Sequence, residues 1–308
     1  MEIIDLKFTD EPRQFEDCGL VLGNFDGVHR GHRALIDELK RLNANRGQRL
    51  PLGAFCFARH PSHYFGAPVP HLCTNEEKMA LLREAGLQFV ILCDFPTLRD
   101  LSPEDFVRDI LIRQCHCRMA VCGYNYTFGA KGAGKAEDLA RWLGSQPDCA
   151  VSIVPPVMDG DNVISSSAIR RMLEGGHPED ATRLLGRPFS LRGTVTDGRH
   201  VGNKMGYPTA NVLFPRDGLI PAHGVYAVTV RVGRQLYLGI SNVGTRPTFD
   251  DDDQVNCETF LFDFNGNLYG KTIQVSFLRF LRPERAFPSA EALYEQVKKD
   301  IQYAKQFF

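Results

Sequence analysis

The stretch GNFDGVHRGH, from Gly23 to His32, decides how the first half of the chain folds. It comes directly after the apolar run that ends at Leu22 and just before apolar residues at helical spacing, which predicts a turn from a buried strand into a helix. Its glycines permit a tight turn, and the spacing of three puts His29 and His32 on neighbouring positions of the first helical turn. Both imidazoles can then donate to one phosphate group at the helix N-terminus. The alternative, without a ligand-binding role, is a glycine-rich turn with two exposed histidines.

The residues around this stretch predict a doubly wound α/β domain. Short apolar runs typical of buried parallel strands alternate with helical segments up to about Gly175. The predicted strands are Leu20–Gly23, Leu52–Phe57, Phe89–Cys93, Met119–Gly123 and Ala150–Val154. The predicted helices are Arg33–Leu42, Met79–Ala85 after a capping box at Thr74, Phe106–Ile112 after Ser102 and Pro103, Lys135–Leu143, and one that begins near Ser166. Units in this order imply an open, Rossmann-like parallel sheet, which binds ligands at the carboxyl ends of its strands.

The second half of the chain predicts a small antiparallel β-barrel. Glycine and proline cluster between residues 175 and 188, so we place one domain at 1–182 and a second at 183–308. The predicted strands are Leu191–Thr196, Val225–Val232, Leu236–Val243, Val255–Phe264 and Thr272–Phe280. Gly233-Arg234 and Asn265-Gly266 predict tight hairpin turns. A helix over about Ser289–Ala304, with an apolar stripe of Leu293, Val297 and Ile301, is expected to close one end of the barrel.

The overall composition excludes several classes of function. The 308 residues carry a formal net charge of −1, which gives no long-range attraction to nucleic acid or to an anionic membrane. No apolar run is long enough to cross a bilayer, and the acidic N-terminal residues do not resemble a signal peptide, so we expect a soluble cytoplasmic protein. The nine cysteines include no Cys-x-x-Cys pair, which favours reduced thiols. The cluster Cys115-His116-Cys117 with Cys122 does not match the common spacings of zinc sites.

A second polar stretch, Ile164–Arg170, has the sequence ISSSAIR. It places Ser165 and Ser166 at the start of a helix, with Arg170 one turn further on. Hydroxyls, free backbone N–H groups and a guanidinium in this arrangement suit a polyphosphate clamp. The alternative is a serine N-cap followed by a surface arginine.

The barrel half contains a glycine-rich stretch of its own. Gly198, Gly202 and Lys204 belong to a basic loop that can wrap a polyphosphate. Thr209 and Asn211 are two residues apart, so in an extended chain they face the same way and offer neutral oxygens to a hard cation such as Mg²⁺. The alternative is a turn in which these side chains only cap backbone groups.

Glu258 is a candidate general base. Two-residue alternation between Val255 and Phe264 puts it on one strand face with three phenylalanines. A carboxylate next to aromatic surface suits a group that takes a proton from a hydroxyl. The alternative is a glutamate at a strand end whose carboxylate reaches water.

These stretches resemble known families. GNFDGVHRGH and ISSSAIR resemble the HxGH nucleotidyltransferases, and four segments follow the riboflavin kinase pattern in order and spacing: Gly206–Asn211, Ser241–Phe249, Glu258-Thr259 and Leu281–Glu284. From Gly19 to Ile301 the chain resembles the bacterial bifunctional riboflavin kinase/FMN adenylyltransferases. The resemblance implies a kinase that makes FMN from riboflavin and ATP, and an adenylyltransferase that makes FAD and pyrophosphate from FMN and ATP. It also implies that both steps use Mg²⁺.

The resemblance assigns roles to single residues. His29 and His32 are implied to stabilise the transition state of adenylyl transfer, and Glu258 to be the base of the kinase. The residues implied to hold ATP or its phosphates are Gly23, Asn24, Gly31, Ser165, Ser166 and Arg170 in the first half and Gly198, Gly202 and Lys204 in the second. Thr209 and Asn211 are implied to hold the metal. The residues implied to contact the flavin are Asn125, Phe128, Tyr207 and Arg282.

The chain departs from the family pattern at Ala58-Arg59, where proline usually precedes the His60-Pro61 pair. Two alternatives therefore stay open: a riboflavin kinase with a degenerate nucleotidyltransferase half, and a flavin-binding regulator without turnover. A regulator needs neither a base nor transition-state donors, so the catalytic candidates argue against it. We expect small-molecule substrates only, and a monomer or weak homo-oligomer.

Overall fold

The computed structural model describes residues 1–6, 16–66, 68–196, 209–245 and 254–308. These residues form two compact units. The first unit contains Met1–Val69 and Thr74–Ser165, and the second contains Pro70–Cys73 and Ser166–Phe308. Within the described ranges, no helix has both the length and the apolar character needed to cross a membrane.

The first unit is built on a parallel sheet of six strands. They are β1 (Glu2–Leu6), β2 (Cys18–Leu22), β3 (Leu52–Phe57), β4 (Phe89–Cys93), β5 (Cys117–Gly123) and β8 (Ala150–Val154), in the order β1-β4-β3-β2-β5-β8. Two small hairpins add β6 (Thr127–Phe128) with β7 (Gly134–Lys135), and β9 (Met158–Asp159) with β10 (Asn162–Val163). The predicted doubly wound sheet is confirmed. The edge strand β1 was not predicted because Glu2 and Asp5 interrupt its apolar run.

Helices cover both faces of this sheet. They are α1 (Arg30–Ala44), α2 (Asn75–Glu84), α3 (Phe95–Leu98), α4 (Pro103–Asp105, continued by a π-helix over Phe106–Gln114) and α5 (Ala136–Trp142). Leu20 and Leu22 of β2 enter one hydrophobic core and Val21 enters the other, as alternation along a strand requires. The predicted capping box is present: the N–H of Glu77 donates to Thr74 Oγ1 at 3.2 Å, and the N–H of Thr74 donates to Glu77 Oε2 at 2.9 Å.

The second unit is built on an antiparallel sheet of six strands. They are β11 (Phe189–Thr194), β12 (Thr209–Leu213), β13 (Gly224–Val232), β14 (Gln235–Thr245), β15 (Val255–Leu261) and β16 (Thr272–Pro283), in the order β11-β16-β13-β14-β15-β12. The sheet curls until its two ends meet, where the N–H of Thr196 donates to the carbonyl of Asn211 at 2.9 Å. The predicted small antiparallel barrel is therefore confirmed.

The two predicted hairpin turns have different outcomes. Gly233-Arg234 joins β13 directly to β14, and Gly233 takes the left-handed φ of +59° that such a turn requires. The hairpin at Asn265-Gly266 is wrong. The strand predicted up to Phe264 ends at Leu261, and β15 pairs with β14 and β12 rather than with the strand that follows it. The sheet order overrides the local turn signal, because the chain must travel from β15 to β16 on the other side of β13 and β14.

The described residues of the second unit also contain the helices α6 (Ser166–Glu174), α7 (Pro178–Leu185) and α8 (Ala290–Ala304). The helix α8 is the predicted closing helix, and its Val297 and Ile301 pack against a cluster that includes Val225 and Ile240. The glycine- and proline-rich residues between 175 and 188 form α7 and its ends. The boundary that we place between residues 182 and 183 falls inside α7, and this division into domains stays a prediction.

Candidate active sites

The turn between β2 and α1 has a strained backbone. Phe25, Gly27 and Val28 have φ angles of +54°, +78° and +40°. This region suits glycine but is costly for other residues, above all for a β-branched valine. Phe25 and Val28 are fully buried, so core packing holds the turn in this form. The strain is located directly before His29, the first of the two paired histidines.

His29 is the N-cap residue of α1. Its Nδ1 accepts a hydrogen bond from the backbone N–H of His32 at 3.2 Å. The sequence did not predict this role, because Ser, Thr, Asp and Asn are the usual residues at an N-cap. A ring nitrogen that accepts a hydrogen bond carries no proton, so the neutral ring of His29 has its proton on Nε2. His29 therefore presents an N–H donor at the N-terminus of α1.

The rings of His29 and His32 are stacked, with centroids 3.6 Å apart and planes inclined by 16°. Burial, together with the neighbouring His29 and Lys78, holds the pKa of His32 well below its ordinary value of 6.5. The ring is thus neutral at pH 7. Its Nδ1 is buried and has no hydrogen-bond partner among the described residues. Such an atom is costly to leave unsatisfied, which is typical of a place where a ligand bonds.

Gly31 brings the two polar stretches of the first half together. A Cβ at this position would lie 3.0 Å from Cε1 of His29 and 3.4 Å from the carbonyl oxygen of Ile164. The missing side chain thus makes room for the His29 ring and for the residue that precedes Ser165. The sequence predicted instead that Gly31 leaves space for a phosphate, and that role stays a prediction.

The remaining residues assigned to ATP lie in different surroundings. The N–H of Gly23 donates to the carbonyl of Phe55 on β3 at 3.2 Å, and Asn24 is half-buried in the same turn. Ser166 is the first residue of α6, where a helix was predicted to begin, and Nε of Arg170 donates to the carbonyl of Pro70 at 2.7 Å. The phosphate-binding roles of Ser165, Ser166 and Arg170 stay predictions.

An ion pair that the sequence did not predict orients the start of α1. Arg30, which lies between the two histidines in sequence, donates to Oδ1 of Asp159 at 3.0 Å. Asp159 belongs to the β9 and β10 hairpin, which returns the chain to Ile164. No pattern in the sequence links Arg30 to a residue more than one hundred positions away.

Aromatic side chains gather where β3 and β4 end. The ring of Phe95 stacks on Tyr64 at 5.6 Å and meets Phe57 edge-on at 5.3 Å. The hydroxyl of Tyr64 donates to Oδ1 of Asp94 at 2.8 Å, and the exposed Arg59 lies within electrostatic reach of Tyr64. This edge of the sheet therefore offers flat apolar surface next to a cation.

The two predicted flavin contacts of the first unit differ in exposure. Asn125 is exposed in the turn after β5. Phe128 is only 6% exposed, and its ring packs against Phe106, Tyr126 and Trp142 in the core. Phe128 is therefore a core side chain, and its contact with a flavin stays a prediction.

In the second unit, Glu258 lies at the centre of a polar cluster. Its neighbours across the sheet are Asn211 on β12 and Asn242 on β14. The hydroxyl of Thr209 donates to Oε1 of Glu258 at 2.6 Å. Phe260 shares this face, as the alternation predicts, whereas Phe264 lies beyond the end of the strand. The geometry thus brings together the predicted base and both predicted metal ligands.

The oxygen atoms in this cluster are suitable ligands for a hard cation. Nδ2 of Asn256 donates to Oδ1 of Asn211 at 2.6 Å, while Oδ1 of Asn256 is buried without a hydrogen-bond partner among the described residues. A hydroxyl, two amide oxygens and a carboxylate therefore lie close together, and Mg²⁺ prefers oxygen ligands of these kinds. The sequence did not single out Asn256, because nothing in a strand pattern shows which polar residue faces Asn211.

Two further residues border this cluster. Nδ2 of Asn242 donates to Oε1 of Glu284 at 2.8 Å. Arg282 is the predicted flavin contact, and its guanidinium donates hydrogen bonds to the carboxylate of Asp300 on α8. The predictions for Gly198, Gly202, Lys204 and Tyr207 lie outside the described residues.

Each half of the chain matches a family model. The FAD synthetase model matches residues 11–168, and the riboflavin kinase model matches residues 185–308. The histidine pair lies in the first match, and the Glu258 cluster lies in the second. Fold and sites together define a class of protein in which a nucleotidyltransferase domain is followed by a kinase domain.

Relatives of known name match nearly the whole chain. A bifunctional riboflavin kinase/FMN adenylyltransferase from Listeria monocytogenes is 36% identical over 293 residues, covering 94% of this chain and 92% of the relative. The protein of the same name from Escherichia coli K12 is 35% identical over 300 residues, covering 95% and 93%. The chain belongs to the family of bifunctional riboflavin kinase/FMN adenylyltransferases.

A solved structure also matches over the full length. It is described as a macrolide-efflux protein from Streptococcus pneumoniae, is 32% identical and has a TM-score of 0.89, with 99% of each chain covered. Its description names efflux, whereas both family models and the named relatives agree on flavin nucleotides. The structural match supports the arrangement of elements within each unit.

Proposed function

We propose that this chain phosphorylates riboflavin to FMN in its second unit and joins FMN to the adenylyl group of ATP in its first unit. The products of the second step are FAD and pyrophosphate. One observation carries the proposal: each of the two matched segments contains its own cluster of candidate catalytic groups. The stacked histidines lie in the FAD synthetase segment, and the Glu258 cluster lies in the riboflavin kinase segment.

The adenylyl step needs charge stabilisation rather than a nucleophilic side chain. A phosphate oxygen of FMN attacks the α-phosphorus of ATP, and the bond from that phosphorus to the bridging oxygen breaks as pyrophosphate leaves. The fixed Nε2–H of His29 donates to the α-phosphate oxygens as charge builds on them. The neutral ring of His32 stacks on His29 and supplies a second polar atom at the same place. The strained turn before His29 keeps both rings in position.

The kinase step needs a base. Glu258 accepts the proton of the ribityl 5′-hydroxyl as that oxygen attacks the γ-phosphorus of ATP, and ADP leaves. The hydrogen bond from Thr209 fixes the orientation of the carboxylate. Thr209 and Asn211 hold Mg²⁺. The amide oxygen of Asn256, which has no hydrogen-bond partner among the described residues, is a further ligand. When bound, Mg²⁺ neutralises charge on the phosphates of ATP.

The aromatic edge of the first unit is the flavin side of the adenylyl site. The exposed ring of Tyr64, which stacks on Phe95, offers an aromatic surface against which a flavin ring can pack, and the exposed Arg59 lies within electrostatic reach of it. A guanidinium here supplies a charge partner for the FMN phosphate. This assignment gives the departure at Ala58-Arg59 a function in substrate binding.

The cysteines of the enzyme indicate the cellular compartment in which it works. All nine cysteines are free, and seven of them are buried, which suits a reducing compartment such as the cytoplasm. The chain acts on small molecules as a monomer or weak homo-oligomer.

The test is to incubate the pure protein with riboflavin, ATP and Mg²⁺ and to separate the flavins by chromatography. We expect FMN to form first and FAD to follow, with release of pyrophosphate. A reaction that stops at FMN, and that also fails when FMN is supplied, overturns the adenylyl assignment. Flavin binding without any product overturns both steps and leaves a regulator.

A further inference from the structure

Lys78 lies in the first half of α2 and is only 8% exposed. Lysine is almost never buried to this degree without an anion beside it, because removing an ammonium group from water is costly. Among the residues that the structure describes, no carboxylate forms an ion pair with Lys78. The first unit thus holds a buried positive charge that its described side chains do not balance.

His32 and Cys56 lie within electrostatic reach of this charge. Neither is an anion at neutral pH. The imidazole of His32 is kept neutral, and burial raises the pKa of the Cys56 thiol to about 11. The ammonium of Lys78 therefore shares its surroundings with the paired imidazoles, where three groups can donate hydrogen bonds and none is negatively charged.

The position of Lys78 is fixed by packing. Its N–H donates to the carbonyl of Thr74 at 2.9 Å, inside the capping box that starts α2. Met79 and Leu82 of α2 are buried in the same hydrophobic core as Val28 and Ile36, which belong to the histidine turn and to α1. One packed core thus joins the helix that carries Lys78 to the turn that carries the histidine pair.

We propose that Lys78 is a third phosphate ligand of the adenylyl site, where its ammonium group binds the reacting α-phosphate of the nucleotide beside His29 and His32. This inference rests on the proposed function of the first unit. It follows from a buried lysine that forms no ion pair among the described residues, that lies within electrostatic reach of His32, and whose helix packs in the same core as the histidine turn. His32 itself has a ring nitrogen without a hydrogen-bond partner among those residues.

The chemistry explains why a cation is required there. A new bond forms between an FMN phosphate oxygen and the α-phosphorus, and the electrons of the breaking bond leave with pyrophosphate. Two neutral imidazoles can donate hydrogen bonds to the phosphate oxygens but bring no positive charge. Lys78 transfers no proton and supplies that charge, which is most effective where negative charge peaks in the transition state.

The experiment compares Lys78→Met, Lys78→Arg and Lys40→Met with the wild type, all as the full chain. Methionine keeps the apolar stem and removes the charge, whereas arginine keeps the charge. Lys40 is a matched lysine control on α1 that pairs with the exposed Asp37. Each protein is assayed for FAD formation from FMN and ATP, and for FMN formation from riboflavin and ATP.

We expect Lys78→Met to lower kcat for FAD formation about 100-fold or more, with a much smaller change in KM for ATP. Lys78→Arg should recover a large part of the loss, and Lys40→Met should match the wild type. FMN formation should stay at the wild-type rate in all three variants, which shows that the second unit of each is folded. In an NMR titration, the pKa of His32 should rise in Lys78→Met and not in Lys40→Met, because a nearby cation is removed.

The outcomes separate this inference from the proposed function. If the wild type forms no FAD at all, the adenylyl function itself fails. If the wild type forms FAD and Lys78→Met forms it equally fast, the role of Lys78 fails and the function stands. A higher KM for ATP with unchanged kcat also overturns the role, since the lysine would then contribute equally to ground-state binding. Loss of activity with no shift in the titration of His32 overturns it as well, because such a result indicates a structural change.

Discussion

Arg282 of β16 forms an ion pair with Asp300 of α8, and the carboxylate of this pair is buried. The guanidinium donates from Nε to Oδ2 at 3.0 Å and from Nη2 to Oδ2 at 2.8 Å. The two side chains are 17% and 6% exposed. Gln296 donates to the other carboxylate oxygen at 2.8 Å, so the pair is also well hydrogen-bonded. This contact fixes the closing helix α8 on β16, a strand of the barrel.

Asp300→Ala is expected to destabilise the second unit strongly. The substitution leaves a half-buried guanidinium without its carboxylate. Breaking a fully buried pair costs about 3 to 5 kcal/mol, so we expect a loss of about 2 to 3 kcal/mol here. The measurement is the free energy of unfolding from urea titration. The matched control is Glu295→Ala, which removes the exposed partner of Lys298 and should cost about 1 kcal/mol or less. Equal losses in the two variants would contradict a special role for the buried pair.

The sequence predicted the core elements well because their signals are local. The strand β3 is found at the predicted bounds Leu52–Phe57, since an apolar run between polar segments has few other conformations open to it. The capping box at Thr74 and the two-residue turn at Gly233 are also local, and both are present. By contrast, Asn265-Gly266 carries a strong hairpin signal and forms no hairpin, because strand order is decided by contacts across the whole sheet.

The sites were predicted only where chemistry and spacing coincide. The histidine pair and Glu258 stand in recognisable patterns, and the structure places each among polar partners. Lys78 was missed because a lysine in an amphipathic helix usually faces water. Arg30 with Asp159 was missed because its partner is distant in sequence. Partners and burial are tertiary properties, so a single sequence gives little information on either.

His29→Ala should stop the reaction at FMN. The variant loses the Nε2–H donor, and removing one preorganised donor typically lowers kcat about 100- to 1000-fold. It also loses the cap of α1, which should cost about 1 kcal/mol of stability. The measurements are FAD formation from FMN and ATP, and the thermal unfolding of the variant.

His29→Asn separates these two effects. The amide oxygen of asparagine can accept the hydrogen bond from the N–H of His32, because asparagine is among the preferred N-cap residues. This variant should therefore keep wild-type stability and still lose FAD formation. If His29→Asn were as active as the wild type, the histidine would serve only as a cap.

Glu258→Gln should abolish FMN formation and leave the adenylyl step intact. Glutamine keeps the shape of the side chain but cannot take the proton of the ribityl hydroxyl, and a general base typically contributes about 100- to 10,000-fold. The assay follows riboflavin to FMN, and in parallel FMN to FAD with the same preparation. Glu295→Gln, on the exposed face of α8, is the control and should match the wild type in both assays. Normal FMN formation by Glu258→Gln would assign the base to another residue.

His32 should make the folded state less stable as the pH falls below neutrality. Its pKa in the folded protein is lowered by burial and by the neighbouring His29 and Lys78, whereas in the unfolded chain it returns to about 6.5. Between these two values the unfolded state binds a proton that the folded state does not, so lowering the pH favours unfolding by up to about 1.4 kcal/mol per pH unit. Above pH 7 neither state binds this proton, and the contribution vanishes.

The test is urea denaturation at pH 7.5, 6.5 and 5.5 for the wild type, His32→Asn and a control, His63→Asn, whose ring is exposed. The wild type and His63→Asn should lose stability in parallel, and His32→Asn should lose less, because it lacks the group whose protonation opposes folding. Parallel losses in all three proteins would show that His32 titrates as freely in the folded state as in the unfolded state, which is incompatible with a buried, neutral ring stacked on His29.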